Sequence, residues 1–206
     1  QECFNLVERL SDIVKDLDEL SVGSVILPLD DLFEHVKRRY KVVLTGTGGD
    51  ELFCGYIRVL AGLGRDVPVE YAPMMRTLDG VSDFPSRWER LHLKGAPEFY
   101  AFREPAARDN FFAEVQNCRT DAAGGDLSTA VRFDRRNFLP AILNLDDKMA
   151  GRHSLETRPA LLHQDFVRHV LTLRTEALLS GTETKPVLRN LAQDIVPTGI
   201  VSRADK

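Results

Sequence analysis

In KVVLTGTGGDELFCGY, Lys41 to Tyr56, the glycines Gly46, Gly48 and Gly49 are followed at once by two carboxylates, Asp50 and Glu51. Glycine tolerates positive φ and lets backbone N–H groups approach a ligand closely, so the turn suits a phosphate cradle. Carboxylates repel phosphate unless a hard divalent cation such as Mg²⁺ stands between them. The stretch therefore reads in two ways: as a metal-bridged phosphate site, or as a strand–turn–helix corner whose acidic residues favour the helix dipole and hold no ligand. A dinucleotide fingerprint would need glycine where Glu51 stands, and a P-loop would need Gly-Lys-Ser/Thr, which is absent.

A second polar concentration is DDKMAGRHSLETR, where Asp146, Asp147, Lys148, Arg152, His153, Glu156 and Arg158 crowd between apolar stretches. Polar groups held there must pair with one another or with a ligand, and pairing alone suffices. His153 reads as a hydrogen-bonded structural histidine. Glu156 and Arg158, two apart, cannot share a helix face if this joint is helical. Cys3, Cys54 and Cys118 form no CxxC pair and read as small buried hydrophobes, free thiols of a reducing cytoplasm.

These residues need elements to place them. Val42 to Leu44 is a β-prone run suited to a strand buried in a parallel sheet, with a helix from Glu51 to Leu60 after the turn. Leu6, Leu10, Ile13, Leu17 and Leu20 mark one amphipathic helix. Asp30 is placed to cap a second through Leu32, Phe33, Val36 and Tyr40. From Gly62 to about Gly125 the periodicity is poor and the prolines frequent, which predicts short helices and loops. Two further amphipathic helices follow, over Leu139 to Met149 and Leu161 to Leu171, and Pro186 opens a last one with Leu188, Leu191 and Ile195.

Whole-chain properties exclude several classes. The 206 residues carry 27 basic and 31 acidic side chains with no long basic run, which does not suggest nucleic-acid binding. No apolar run approaches the ~20 residues of a membrane span, and QECFNLVERL carries no signal-peptide pattern.

Three segments then carry a resemblance. VVLTGTGGDELFCGY resembles the VVLSGEGADELFGGY signature of the asparagine synthetase family, LDDKMAGRHSLETRPALL its VDRMSMAHSLEARVPFLD, and KPVLRNLAQDIVPTGIVSRADK its closing K.LLR.....LP..I..R..K pattern. The order is the family's, and the match runs from about residue 41 to the end. It implies a mainly α fold with a remnant of an α/β parallel-sheet nucleotide-binding domain of adenine nucleotide alpha hydrolase type. It further implies ATP and Mg²⁺ as cofactors, adenylation of a carboxylate, usually aspartate, and displacement of AMP by ammonia from a glutaminase domain.

On this resemblance Thr45, Gly46 and Gly48 meet the nucleotide and its pyrophosphate. Asp50 is the Mg²⁺-associated acid, Glu156 and Arg158 line the substrate pocket, and Lys206 neutralises charge during adenylation. Departures accompany it. Thr47 stands where the family carries Glu, so an expected general acid or base is missing, and His163 replaces the Asp of PFLD. The family's SGGLDS pyrophosphate loop lies nowhere in these residues. Residues 1–206 are accordingly expected to be one partial synthetase domain, a fragment that binds Mg·ATP weakly by itself and self-associates through the Val42–Leu44 strand. An amide-forming synthetase for a sugar acid or peptide, and a non-catalytic helical module with a decayed nucleotide site, are the other readings.

Overall fold

A computed structural model describes residues 2–18, 25–94, 105–119 and 125–203. In chain order the elements begin α1 (Glu2–Leu17), α2 (Ile26–Val36), β1 (Val42–Thr45), α3 (Gly49–Phe53), α4 (Ile57–Gly62), α5 (Ala72–Arg76) and α6 (Phe84–Glu89). They continue through α7 (Pro105–Arg119), α8 (Gly125–Phe133), α9 (Leu139–Arg152), β2 (Glu156–Pro159) and α10 (Gln164–Thr172). The short strands β3 (Leu179–Ser180) and β4 (Glu183–Thr184) precede α11 (Pro186–Ala192) and α12 (Thr198–Val201). The protein is mainly helical with a small parallel sheet. Among the described residues no helix is long and apolar enough to cross a membrane. The chain divides into two compact units, residues 1–47 with 139–163, and 48–138 with 164–206.

In the first unit α1, α2 and α9 share a core of Ile13, Leu17, Ile26, Phe33, Met149 and Leu155. Leu10, Ile13 and Leu17 do face this core as their spacing requires, whereas Leu6 is exposed and Leu20 lies outside the described residues. Helix α2 starts at Ile26, not at a cap on Asp30. Pro28 explains the shift, because its missing N–H costs nothing in a first turn, where no intrahelical acceptor exists. Tyr40 falls beyond the helix and is exposed.

Asp30 is instead a buried carboxylate, 4% exposed, in the middle of α2. Arg9 donates to its Oδ2 from Nε at 2.8 Å and Nη2 at 2.6 Å, Arg152 Nε approaches Oδ1 at 3.1 Å, and His153 Nε2 lies 2.7 Å from Oδ1. Arg152 also bonds Asp16 and the carbonyl of Asp12, while Lys148 donates to the carbonyl of Leu17 at 2.8 Å. Arg152 and His153 of the polar joint are thus held by one buried carboxylate, and His153 is structural as its surroundings in the sequence suggested. Strand β1 pairs in parallel with β2, Val42 opposite Glu156 and Leu44 opposite Arg158. The parallel pairing matches expectation, but the burial does not: Val42 is 41% and Leu44 74% exposed. Glu156 and Arg158 lie in this strand and not in a helix.

The second unit packs around Trp88, whose ring meets Phe84 at 5.3 Å, Phe133 at 5.9 Å and His92 at 4.4 Å between centroids. Gly62 has no side chain because a Cβ there would lie 2.8 Å from Trp88. The region expected to hold only short helices contains the 15-residue α7, which buries Phe111, Val115 and Cys118. The TDAAGGD loop falls largely outside the described residues. Between α8 and α9 runs a π-helical turn, Asp134–Phe138. Pro140 has no N–H to donate to the carbonyl four residues back, so the regular α ladder is broken at this point. Cys54 and Cys118 are buried and unpaired; burial pushes the Cys54 thiol up to about 12.

Two outcomes test this packing. Asp30→Ala strands two arginines and a histidine, so chemical denaturation should show a loss of about 3–5 kcal/mol, with Asp30→Asn milder because its amide oxygen still accepts. A loss comparable to that of a surface substitution would show that the network carries no weight. The second concerns His92, whose ring is walled in by Trp88, Phe111 and Phe133 and whose Nδ1 meets the carbonyl of Trp88 at 2.9 Å. Burial lowers its pKa to about 3, with the Arg58 charge adding to the effect. The unfolded chain takes up a proton on His92 below its ordinary 6.5 that the folded chain refuses, so acidification costs roughly 1.4 kcal/mol per pH unit from 6.5 toward 3. Asp134, raised by burial to about 6, acts in the opposite sense between 6 and 3.8. Subtracting the pH profile of His92→Phe from that of the wild type isolates the first effect: the variant should gain relative stability as pH falls through that window, and a constant difference would refute the buried neutral imidazole.

Candidate functional site

Strand β1 delivers Thr45 to the C-terminal edge of a parallel strand pair, the usual side for ligands in such sheets. Thr45 Oγ1 donates to Thr47 Oγ1 at 3.2 Å, and Thr47 Oγ1 donates in turn to Asp146 Oδ2 of α9. Gly46 has open space where a Cβ would stand, and its φ is not left-handed, so neither crowding nor backbone conformation within the chain demands glycine there. On β2, Arg158 Nε donates to Glu156 Oε1 at 2.8 Å, as neighbours on one face of a strand can and neighbours on a helix could not. Both side chains are exposed, so this pair is weak and either group can change partners readily.

In the second unit Gly48 is left-handed, φ 93°, and begins the five-residue α3. The helix expected to run from Glu51 to Leu60 is broken: Cys54 is itself left-handed, φ 56°, and a new helix starts at Ile57. A single turn of helix offers little dipole. Positive charge comes from Lys185, whose Nζ lies 2.6 Å from Asp50 Oδ1, each side chain about three-quarters buried at 23% and 24% exposure. Gly55 makes this pair possible: a Cβ on it would fall 1.8 Å from Asp50 Oδ1 and 2.1 Å from Lys185 Cε.

A supporting layer lies beside the pair. Tyr56 OH donates to Glu51, and burial followed by this bond pushes the phenol well above its usual range. Arg58 bonds Asp134 at 2.7 Å and lies over the rings of Tyr56, 3.7 Å, and Phe138, 4.2 Å. Burial raises Asp134 to about 6 even against the Arg58 charge. Arg135 donates to the carbonyls of Glu51 and Leu52 and so holds the short helix from behind.

Of the residues singled out from sequence, Thr45, Glu156 and Arg158 are brought onto one strand pair, Gly48 and Asp50 share α3 and its cap, and Lys206 lies outside the described residues. Sequence reasoning missed Lys185 and Gly55, and named Asp146 only as a member of the polar joint, without its partner. Each lies inside a quoted family segment, and Lys185 is the lysine that opens KPVLR, but only the fold shows which partner each one has.

The asparagine synthase family profile matches residues 2–206. The chain belongs to the asparagine synthase family. Curated relatives named "Putative asparagine synthetase (glutamine-hydrolyzing)" from Mycobacterium bovis and from Mycobacterium tuberculosis are 26% identical over 221 residues, covering 96% of this chain. The chain spans 34% of the length of these relatives. No solved structure matches it significantly. The family is one of ligase-type, ATP-dependent amidation enzymes.

The pair around Gly55 yields a direct test. Both groups that a Cβ would strike are the mobile ends of side chains, so Gly55→Ala should push Asp50 and Lys185 apart while sparing the backbone. The melting temperature should fall by only a few degrees, the equivalent of about 1 kcal/mol, and a structure of the variant should show the ion pair broken. An intact pair in that structure would remove Gly55 from the site.

Proposed function

We propose that Thr45, Gly46, Gly48 and Asp50 handle the phosphates of ATP in an acyl-adenylating site of adenine nucleotide alpha hydrolase type. In a complete protein this site activates aspartate with Mg·ATP and passes the acyl group to ammonia drawn from glutamine. The observation carrying this reading is the Asp50–Lys185 pair, which puts one anion and one cation at the aspartate of the family signature.

A lysine there can follow the negative charge of the departing pyrophosphate, and a carboxylate there can share Mg²⁺ with phosphate oxygens. The donor set fits the metal in that form only. Among the described residues no group of three His, Cys, Asp or Glu forms a dedicated cage, whereas Mg²⁺ is commonly held by one or two carboxylates together with substrate phosphates. When bound, Mg·ATP would supply the leaving group and the charge that balances it.

Glu156 and Arg158 are the substrate-side residues of this proposal, with Arg158 offering a planar fork to a carboxylate. Lys206 is assigned the neutralising role by position in the motif. Thr47 and His163, both departures from the family pattern, favour a second reading in which the acid activated is a sugar acid or a peptide carboxylate.

Exchange of pyrophosphate into ATP, dependent on aspartate, tests the main reading in the complete protein that carries this chain. Asp50→Asn should keep a melting curve close to that of the wild type and lose exchange by about 10²–10³-fold, the scale for removing one preorganised electrostatic group. Exchange at the wild-type rate would sink the assignment of Asp50. Exchange with peptides or sugar acids but not aspartate would select the second reading.

A further inference from the structure

Position 47 holds threonine where the family signature VVLSGEGADELFGGY holds glutamate, which leaves the turn without a group to manage protons. The fold returns a carboxylate to the same place. Thr47 Oγ1 donates to Asp146 Oδ2 across 99 residues of sequence. When LDDKMAGRHSLETR is set on VDRMSMAHSLEAR by its shared HSLE, Asp146 falls on the valine. Two departures from the family pattern, each unexplained alone, therefore meet in one hydrogen bond. Asp147, the acid that the family segment does share, is exposed, while Asp146 is half-buried against the turn.

We propose that Asp146 is the proton-accepting carboxylate of amide formation, working through the hydroxyl of Thr47; this rests on the adenylating reading above. When an amine nitrogen attacks the acyl-adenylate, the new C–N bond forms and the C–O bond to phosphate breaks, AMP leaving with the electron pair. The nitrogen then holds one proton too many. Thr47 Oγ1 receives one hydrogen bond, from Thr45 Oγ1, and has a second lone pair. It takes the surplus proton there as its own hydrogen passes to Asp146 Oδ2, so the hydroxyl is regenerated and the carboxylate ends as the acid. The relay needs no other reactant, and it places the base one hydroxyl further from the turn than a glutamate at position 47 would.

The variants separate this role from a structural one. Asp146→Asn can still accept the bond from Thr47 but cannot take up a proton, Thr47→Val breaks the relay without touching charge, and Thr47→Glu with Asp146→Val returns the carboxylate to the turn. In the complete protein, with aspartate, Mg·ATP and ammonia, Asp146→Asn should keep pyrophosphate exchange within about twofold and lose amide formation by about 10²–10⁴-fold. That loss should shrink as pH rises and solution bases take over, and the double variant should recover amide formation. Amide formation unaffected in Asp146→Asn, exchange and amide formation falling together, or a loss independent of pH each overturns the relay. If Asp146→Asn does not fold, Thr47→Val must show the amide-selective loss, and its full activity overturns the proposal. A wild type without exchange overturns the adenylating reading and the relay with it, whereas an indifferent Asp146→Asn with exchange intact removes the relay alone.

Discussion

One carboxylate, Asp30, governs the first unit. It ties α2 to α1 and to the end of α9, gathering Arg9, Arg152 and His153. Arg152 and His153 are the last residues before the chain turns through left-handed Ser154, φ 55°, into β2. Clamping them fixes both the roll of α9, and hence the direction in which Asp146 points, and the position at which β2 enters its ladder with β1. A change of one residue in that register would exchange the faces on which Glu156 and Arg158 lie. The cost of burying Asp30 is met by three partners with satisfied geometry, the condition under which a buried charge can specify a structure.

The acids of this protein differ in their company more than in their type. Asp30 has two arginines and a histidine around it and is a structural pin. Asp134 has Arg58 but so little access to water that burial outweighs the ion pair. Asp50 keeps about a quarter of its surface, as does the lysine it is paired with, so this pair is neither sealed like Asp134 nor clamped like Asp30.

What could be read from the sequence follows the same physics. Strand β1, its parallel pairing and the core face of α1 announce themselves through apolar spacing, whereas of the apolar residues that mark α9 only Met149 reaches the core. Strand β2 does not, because ETRP holds no apolar pattern and its pairing is a matter of backbone alone. Among its described side chains helix α7 buries a narrow seam, Phe111, Val115 and Cys118, so its period is submerged in polar residues. The glycine turn and Asp50 were legible as a candidate phosphate site, and the family resemblance sharpened them. Lys185 was not, since nothing local marks a lysine before Pro186 as the partner of a residue on a helix far back in the chain. The long helix expected after the turn failed for a specific reason: Cys54 adopts left-handed backbone, and no pattern of side-chain polarity encodes that.

Gly55 contributes by having no side chain, and this changes how the site can vary over evolutionary time. Asp50, Gly55 and Lys185 meet in one contact, so a change at any of them would be filtered by the other two. Judged one column at a time, Gly55 would pass for an ordinary turn glycine and Lys185 for a surface lysine. Selection on the trio would surface only as covariation, with an enlarged residue at 55 tolerated in lineages that have already given up the charge pair.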